Sequence, residues 1–466
     1  MSTMTISVLG QSDVERLHAA TLRVLWGVGV EIGHQRAAEL LAASGAAVEG
    51  TRARIPEQLV EQALSTAPRS FRVKWRGLDR QQEVGSGAPS VGTGMDCPYV
   101  RDLQTGERRH LFHVLTRGAT ALAERLPNID YVSSMGLPEV EEGQSLELVQ
   151  VAAMLCGTRK PLLTSSPGGG EGLRMVREMA AVCGEADSVT VLTMPDPPLQ
   201  HGPAELDKLL VAGELGMPIC VLPGVDPGSA GPCSLAGSIV VANAEALSAL
   251  VVHQLAHPGA PFVYGSGIVW IDPRMAQSIS AAPEAYLGNQ ACIEMARHYG
   301  LPSAAYAMQS DAKMVDEELA LEYGLTAALS MLSGASTLGA VGVFDGVMQS
   351  AFEALVLADE ITGYMRAFRR GVATDDEALA LDEVVDVGPG GMFLGRDYTR
   401  THIRDFWLPT MLVRDNVERW ERGGAKTLGE RLRERTRALL AEQRPFVVDD
   451  AARRELERLT WTPMDV

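Results

Sequence analysis

Short apolar bursts that run into Gly, Ser or Pro recur through the middle of the chain. They fall near residues 90–95, 129–135, 161–166, 189–194, 218–223, 261–266, 303–308 and 337–344. Bursts of this length, bounded by turn residues, predict β-strands. Most stretches between them carry a helical pattern, as at 146–157, 172–184 and 204–216. Gly216-Met217-Pro218 and Gly300-Leu301-Pro302 mark helix stops. Glycine takes the left-handed turn that ends a helix, and proline cannot continue one. Eight strands alternating with helices predict an α/β fold, a (β/α)8 TIM barrel over residues 86–350. A doubly wound sheet is the rival, but no G-x-G-x-x-G opens a helix after the first strand. Residues 1–85 read as an N-terminal helical extension, with helices at 18–30 and 35–45 and a strand at 70–75. Residues 351–466 read as a C-terminal helical extension packed on the barrel, with helical segments at 353–368 and 415–443.

Composition narrows the class. At 466 residues, 46% of them hydrophobic, the chain can bury a large core. No run of about 20 uncharged apolar residues reads as a membrane span. The first residues lack a basic flank before an apolar run, so the expected location is cytoplasmic. A net charge of −18 argues against nucleic acid, which requires a basic face. Cys97, Cys156, Cys183, Cys220, Cys233 and Cys292 show no C-x-x-C spacing and read as reduced, mostly packed thiols.

In such a barrel, sites form at the C-terminal ends of the strands. Those ends hold Asp96, Asp196, Asp226, Asp311 and Asp345, each either a helix cap or a site carboxylate. They also hold Tyr99, Tyr264, Trp270, Phe344, Gln309 and Gly346. The four aromatic residues either line a cage for a quaternary ammonium or serve as core and rim. His110 and His113 form H-x-x-H, and His253 and His257 lie four apart on a helix, but neither pair has the further ligands of a zinc site. No metal is expected. Gly168, Gly169 and Gly170 follow Ser165, Ser166 and Pro167 without the GK[ST] of a P-loop, so a plain βα loop is favoured over a phosphate cradle. No G-x-S-x-G elbow supports a serine nucleophile.

The segment GPCSLAGSIVVANAEALSALVVHQLAHPGAPFVYGSG (231–267) resembles the signature of the trimethylamine methyltransferase family. Blocks at 98–109, 124–138, 157–161, 310–322, 333–336, 350–360 and 388–394 resemble others of that family, in order. With only the twenty standard residues, the chain resembles the branch lacking pyrrolysine, which includes glycine betaine corrinoid methyltransferases. The resemblance implies a barrel enzyme that moves a methyl group from a methylated amine to Co(I) of a corrinoid. It implies that the cobalamin is carried by a separate partner protein, with no tightly bound metal of the chain's own. A small quaternary amine such as a betaine becomes the expected substrate, and self-association is expected. The substrate set is Tyr99, Asp96, Tyr264, Trp270, Gln309, Asp311, Phe344, Asp345 and Gly346. Gly168, Gly169, Gly224, Gly265 and Gly267 fit a mouth that admits a bulky corrinoid. Aromatics are favoured over carboxylates as the direct cage, because the charge on nitrogen fades in the transition state. The chain departs from the family pattern at Met392, at Tyr398 and along Leu338-Gly339-Ala340-Val341-Gly342. These changes bear on the substrate more than on the reaction. Two other readings stay open: a lyase or hydrolase using the strand-end aspartates, and a non-catalytic betaine-binding homologue.

Overall fold

The computed structural model describes residues 4–110, 114–137, 140–165, 168–442 and 446–461. At its centre is a seven-stranded parallel sheet. The strands are β1 (Ser90–Thr93), β2 (Leu162–Thr164), β3 (Val189–Thr193), β4 (Ile219–Val221), β5 (Phe262–Gly265), β6 (Ser303–Tyr306) and β7 (Thr337–Val341). Their order across the sheet is β1, β7, β6, β5, β4, β3, β2. All seven lie within the predicted bursts.

The remaining burst, at 129–135, is not a regular strand. It makes two isolated parallel bridges, Gly92 to Tyr131 and Val132 to Leu162, and so lies between the edge strands β1 and β2. Side chains supplement the few backbone bonds there, such as Val132 N–H to Pro161 O at 2.9 Å. Val91 N–H donates to the Asp130 carboxylate at 2.8 Å, and Ser133 N–H donates to Thr93 Oγ1 at 3.0 Å. The Ser134 hydroxyl turns to Gly136 O at 2.6 Å. Short polar side chains compete with the ladder in this way.

Helices pack outside the sheet: α1 (Leu146–Gly157), α2 (Gly169–Val182), α3 (Pro203–Leu215), α4 (Leu235–Ala256), α5 (Pro283–Tyr299), α6 (Glu317–Met331) and α7 (Phe352–Arg369). Gly216 and Gly300 end α3 and α5 in the left-handed conformation the sequence predicted, at φ 65° and 70°. By length and composition α4 passes for a membrane span, yet most of its residues are buried inside the protein. An evenly apolar helix needs cover on all sides. Its cover includes α3, α5 and the N-terminal helices Gln11–Gly27 and Glu57–Thr66. Asn243 of α4 locks that packing by donating to Thr21 Oγ1 and Tyr299 Oη, each at 2.8 Å.

The predicted N-terminal helices fall at Gln11–Gly27 and Gln35–Ala43. Short strands accompany them. Val30–Ile32 pairs in parallel with Gln200–His201, which follows β3, and this ties the N-terminal region to the sheet. The predicted strand at 70–75 is half of a hairpin, Phe71–Lys74 against Gln81–Val84. Beyond α7, four short helices between 376 and 422 bury no residue. The helices Leu428–Ala441 and Asp450–Thr460 return to the core through Leu432, Leu439 and Leu456. The predicted helical stretch at 415–443 is thus two helices, Val417–Arg422 and Leu428–Ala441, with a break at Gly423 and Gly424.

Candidate functional site

The period of two along each strand decides what faces the interior of the sheet. Leu192, Cys220 and Val263 pair across β3, β4 and β5 and share one small apolar cluster with Leu222 and Ala304. Their register neighbours Ile219, Val221, Phe262 and Tyr264 belong instead to the main core between sheet and helices. The interior encloses a cavity of about 60 Å³. The hairpin closes one end of it with Phe71, Val73, Gln82 and Val84, beside the strand starts at Ser90, Pro161 and Thr337. Toward the strand ends its walls are Thr93, Met95, Tyr131, Leu222, Tyr306 and Gly339.

Two tyrosines dominate this upper half. The Tyr131 ring lies over Gly92, where a Cβ would stand 2.2 Å from ring carbons, so glycine is required there. Its hydroxyl is buried and has no hydrogen-bond partner among the described residues. Burial, first of all, raises its pKa, and it stays neutral. The Tyr306 hydroxyl lies beside Gly267, and burial with the charge of Asp226 pushes it up to about 12. Asp226 follows β4, is half-buried, and its carboxylate accepts no hydrogen bond among the described residues. Burial raises its pKa too.

Asp96 anchors the other side of the mouth. Gln150 Nε2 donates to it at 2.7 Å, and Ser165 Oγ lies 3.5 Å from its second oxygen. Burial raises this carboxyl despite both bonds. Lys208 of α3 reaches Ser165 O at 3.0 Å, and burial lowers its pKa.

The structure does not bring the sequence-predicted set together. Tyr264 faces outward and its hydroxyl donates to Asn243 Oδ1 at 2.8 Å. The alternation that sends Val263 inward sends Tyr264 to the helices. Phe344 is fully buried in the main core. Tyr99 carries the Arg108 guanidinium 3.5 Å above its ring and His110 at 4.5 Å, so that aromatic face is covered by the protein's own cation. Trp270 stands, partly exposed, on a hairpin after β5, Trp270–Asp272 against Gln277–Ile279. Asp311 accepts from Ser280 N–H and Ala281 N–H at 3.0 and 2.9 Å and fixes the end of that hairpin. Gln309 braces β6 against β7 through Ala340 O at 3.4 Å. Asp345 pairs with Lys313 at 2.6 Å, next to Gly346 at φ 61°. Asp196 is exposed. Asp96, Asp311 and Asp345 therefore have separate partners, and no two of the strand-end aspartates form a carboxylate pair.

The glycines divide similarly. The N-terminus of α2 is already filled, because Gly170 N–H donates to the Asp207 carboxylate at 2.6 Å and a Cβ at Gly169 would strike the same group. Gly265 lets β5 approach Val221 O closely, which is strand packing. Gly168, Gly224 and Gly267 remain near the mouth. Ser166, Pro167 and His113 lie outside the described residues. His253 is buried with Nδ1 2.8 Å from Leu209 O, and burial lowers it to about 4, so it is a neutral core histidine. Among the described residues no cluster of His, Cys, Asp or Glu is arranged to hold a metal. Met392 is exposed, and Tyr398 bonds Glu377 O at 2.7 Å in the same C-terminal region.

Sequence reasoning passed over Tyr131, Tyr306, Gln150 and Lys208, and placed Ser165 only in a loop at a strand end. Gln150 had a signal, as the one amide in the apolar run of α1.

A family model described as trimethylamine methyltransferase matches residues 2–461. The chain belongs to the trimethylamine methyltransferase family. A glycine betaine methyltransferase of Desulfitobacterium hafniense (strain Y51) is 27% identical over 473 residues, covering 95% of this chain and 94% of the relative. A trimethylamine methyltransferase of Methanosarcina barkeri (strain Fusaro) is 28% identical, covering 96% and 93%. Among solved structures, the monomethylamine methyltransferase of Methanosarcina barkeri superposes with a TM-score of 0.56 at 11% identity, covering 94% of this chain and 88% of that one. That likeness extends the fold of the trimethylamine methyltransferase family member described here to a distant relative.

Proposed function

We propose that this protein moves a methyl group from a small methylated ammonium to Co(I) of a corrinoid carried by a partner protein. The observation that carries the reading is the cavity itself. It is lined by two tyrosines and by apolar and uncharged polar groups, has no charged side chain among the described residues, and extends toward the strand ends. Such a site positions a cation without offering it a base or a nucleophile. The acceptor supplies the nucleophile: the methyl carbon bonds to cobalt with the Co(I) electron pair, while the C–N pair stays on nitrogen and leaves a neutral amine.

The chain's own contribution is orientation and exclusion of water. The faces of Tyr131 and Tyr306 attract a quaternary ammonium. Asp96 and Asp226 stand at the rim and favour entry of a cation without enclosing it. A carboxylate in direct contact would stabilise the charged ground state more than the transition state.

The bridges at Tyr131 and Val132 support a closed (β/α)8 barrel, with that segment in the eighth position. The rim fits a docking face. Met194, Met275, Met314 and Met348, in loops after β3, β5, β6 and β7, are all exposed. Methionine is flexible and polarizable, and suits a surface that receives a partner. The small residues Gly168, Gly224 and Gly267 leave that mouth open. Exposed Val385, Leu394, Phe406 and Leu408 support self-association through the C-terminal region. The six cysteines form no disulfide, which fits the reducing cytoplasm.

The test is to mix the protein with chemically reduced cobalamin and a panel of quaternary amines. Conversion of the Co(I) spectrum to that of methylated cobalamin is expected with at least one amine. No conversion with any of them, beside an active control enzyme, overturns the reading.

A further inference from the structure

We infer that the amine demethylated here carries a short, uncharged substituent with a hydroxyl group, and not a carboxylate. The inference rests on the proposed methyl transfer and concerns the same site.

The direction of transfer fixes the pose. The acceptor arrives on another protein, and the hairpin residues Phe71, Val73, Gln82 and Val84 close the far end of the cavity. The methyl group that leaves must therefore face the mouth. The largest substituent on nitrogen then points inward, past Tyr306 and toward Tyr131.

Three properties of the interior define that substituent. The first is size. A cavity of about 60 Å³ is a few times the roughly 10–15 Å³ that one water needs on the same measure. It accepts a chain of two or three heavy atoms. The second is charge. Among the described residues the cavity lining contains no Lys, Arg, His, Asp or Glu. A carboxylate placed there would lose its hydration and meet no cation. Lys208 of α3 and Lys313, in the loop after β6, are engaged elsewhere, on Ser165 O at 3.0 Å and on Asp345 at 2.6 Å. The third is the buried Tyr131 hydroxyl, which has no partner among the described residues. A buried polar group without a partner is costly, and one facing a cavity points to a bond completed by a ligand. A Cβ at Gly339 would stand 2.9 Å from that hydroxyl, so glycine is what leaves room beside it.

These features together describe a trimethylammonium bearing a hydroxyethyl-type arm. Choline is the probe that matches in charge, length and hydroxyl. Propyltrimethylammonium matches the size and lacks the hydroxyl. Glycine betaine replaces the neutral arm with a carboxylate.

The experiment measures kcat/KM for cobalamin methylation by the full chain with each of the three. Choline is expected to exceed glycine betaine by about tenfold or more and propyltrimethylammonium by about fivefold. In Tyr131→Phe the preference for choline over the propyl analogue is expected to disappear. The wild-type comparison decides the matter even if that variant fails to fold. Faster turnover of glycine betaine than of choline overturns the inference and leaves methyl transfer standing. Equal rates for choline and its propyl analogue overturn the role of the hydroxyl. No methylation from any of the three, nor from the wider amine panel, removes the underlying reading as well.

Discussion

The hydroxyl of Tyr131 stands 2.9 Å from the point where a side chain at Gly339 would begin. The two residues come from opposite sides of β1, one from the irregular segment before β2 and one from β7. Their contact sets the width of the cavity. Gly339→Ala is expected to push the tyrosine aside and lower kcat/KM by roughly tenfold, equivalent to about 1.4 kcal/mol. Steady-state kinetics alongside urea unfolding checks this. A loss confined to stability would show that the contact is only packing.

Gly92→Ala meets the same ring from below, with its Cβ 2.2 Å from ring carbons. Overpacking of this kind costs about 1–3 kcal/mol. The unfolding midpoint in urea is expected to fall with the m-value unchanged. An unaltered midpoint would mean that Tyr131 has another rotamer available.

Tyr264 gives the opposite expectation. It bonds Asn243 in the helix layer, away from the cavity. Tyr264→Phe leaves a buried amide oxygen without that donor and is expected to cost about 1–3 kcal/mol. KM for the amine is expected to be untouched, and a clear rise in KM would return Tyr264 to the site.

These contrasts show how far the residues alone carried the account. Seven of the eight strands were legible, because an apolar burst closed by Gly or Pro is a local signal. The side of the strand was not. β5 reads Phe262-Val263-Tyr264-Gly265, apolar toward both faces, so nothing in the sequence tells which residues turn inward. Tyr264 was therefore legible as an aromatic at a strand end but not as a helix-facing one. Tyr131 was hidden for a related reason. Its segment keeps only two bridges, and its position over Gly92 depends on a contact between residues 39 positions apart. Tyr99 was legible as an aromatic just past a strand end, while its cover, Arg108, comes from a strand that pairs with its own.

Glu245 carries a pH prediction. Leu199 N–H donates to one of its oxygens at 2.7 Å, and the other is buried without a partner among the described residues. Burial, opposed by this bond and by His201, raises its carboxyl to about 7 from 4.5. A raised acid contributes stability below the unfolded value and loses it as pH rises through the folded one. The window is therefore about pH 4.5 to 7. Between those limits Glu245→Gln is expected to gain on the wild type by about 1–3 kcal/mol. Urea unfolding of both proteins at pH 4.5 and 8 measures the difference, and parallel curves at the two pH values would contradict it.

The rim is tested by charge. Met275→Glu places an acid on the exposed hairpin after β5. The ratio of turnover with a partner corrinoid protein to turnover with free cobalamin is expected to fall by about fivefold or more, since a charge set in an apolar contact is desolvated without a partner. An unchanged ratio would place the docking face elsewhere.

The most direct measurement follows the methyl carbon. Trimethylammonium substrate labelled with ¹³C on its methyl groups is incubated with the protein and reduced cobalamin, and the mixture is read by NMR. The account predicts one labelled methyl on cobalt for each molecule of tertiary dimethylamino product, which keeps two labelled methyls, with no labelled species beyond these and unreacted substrate. Amine lost without label on cobalt, or label retained entirely on nitrogen across the amine panel, would contradict it.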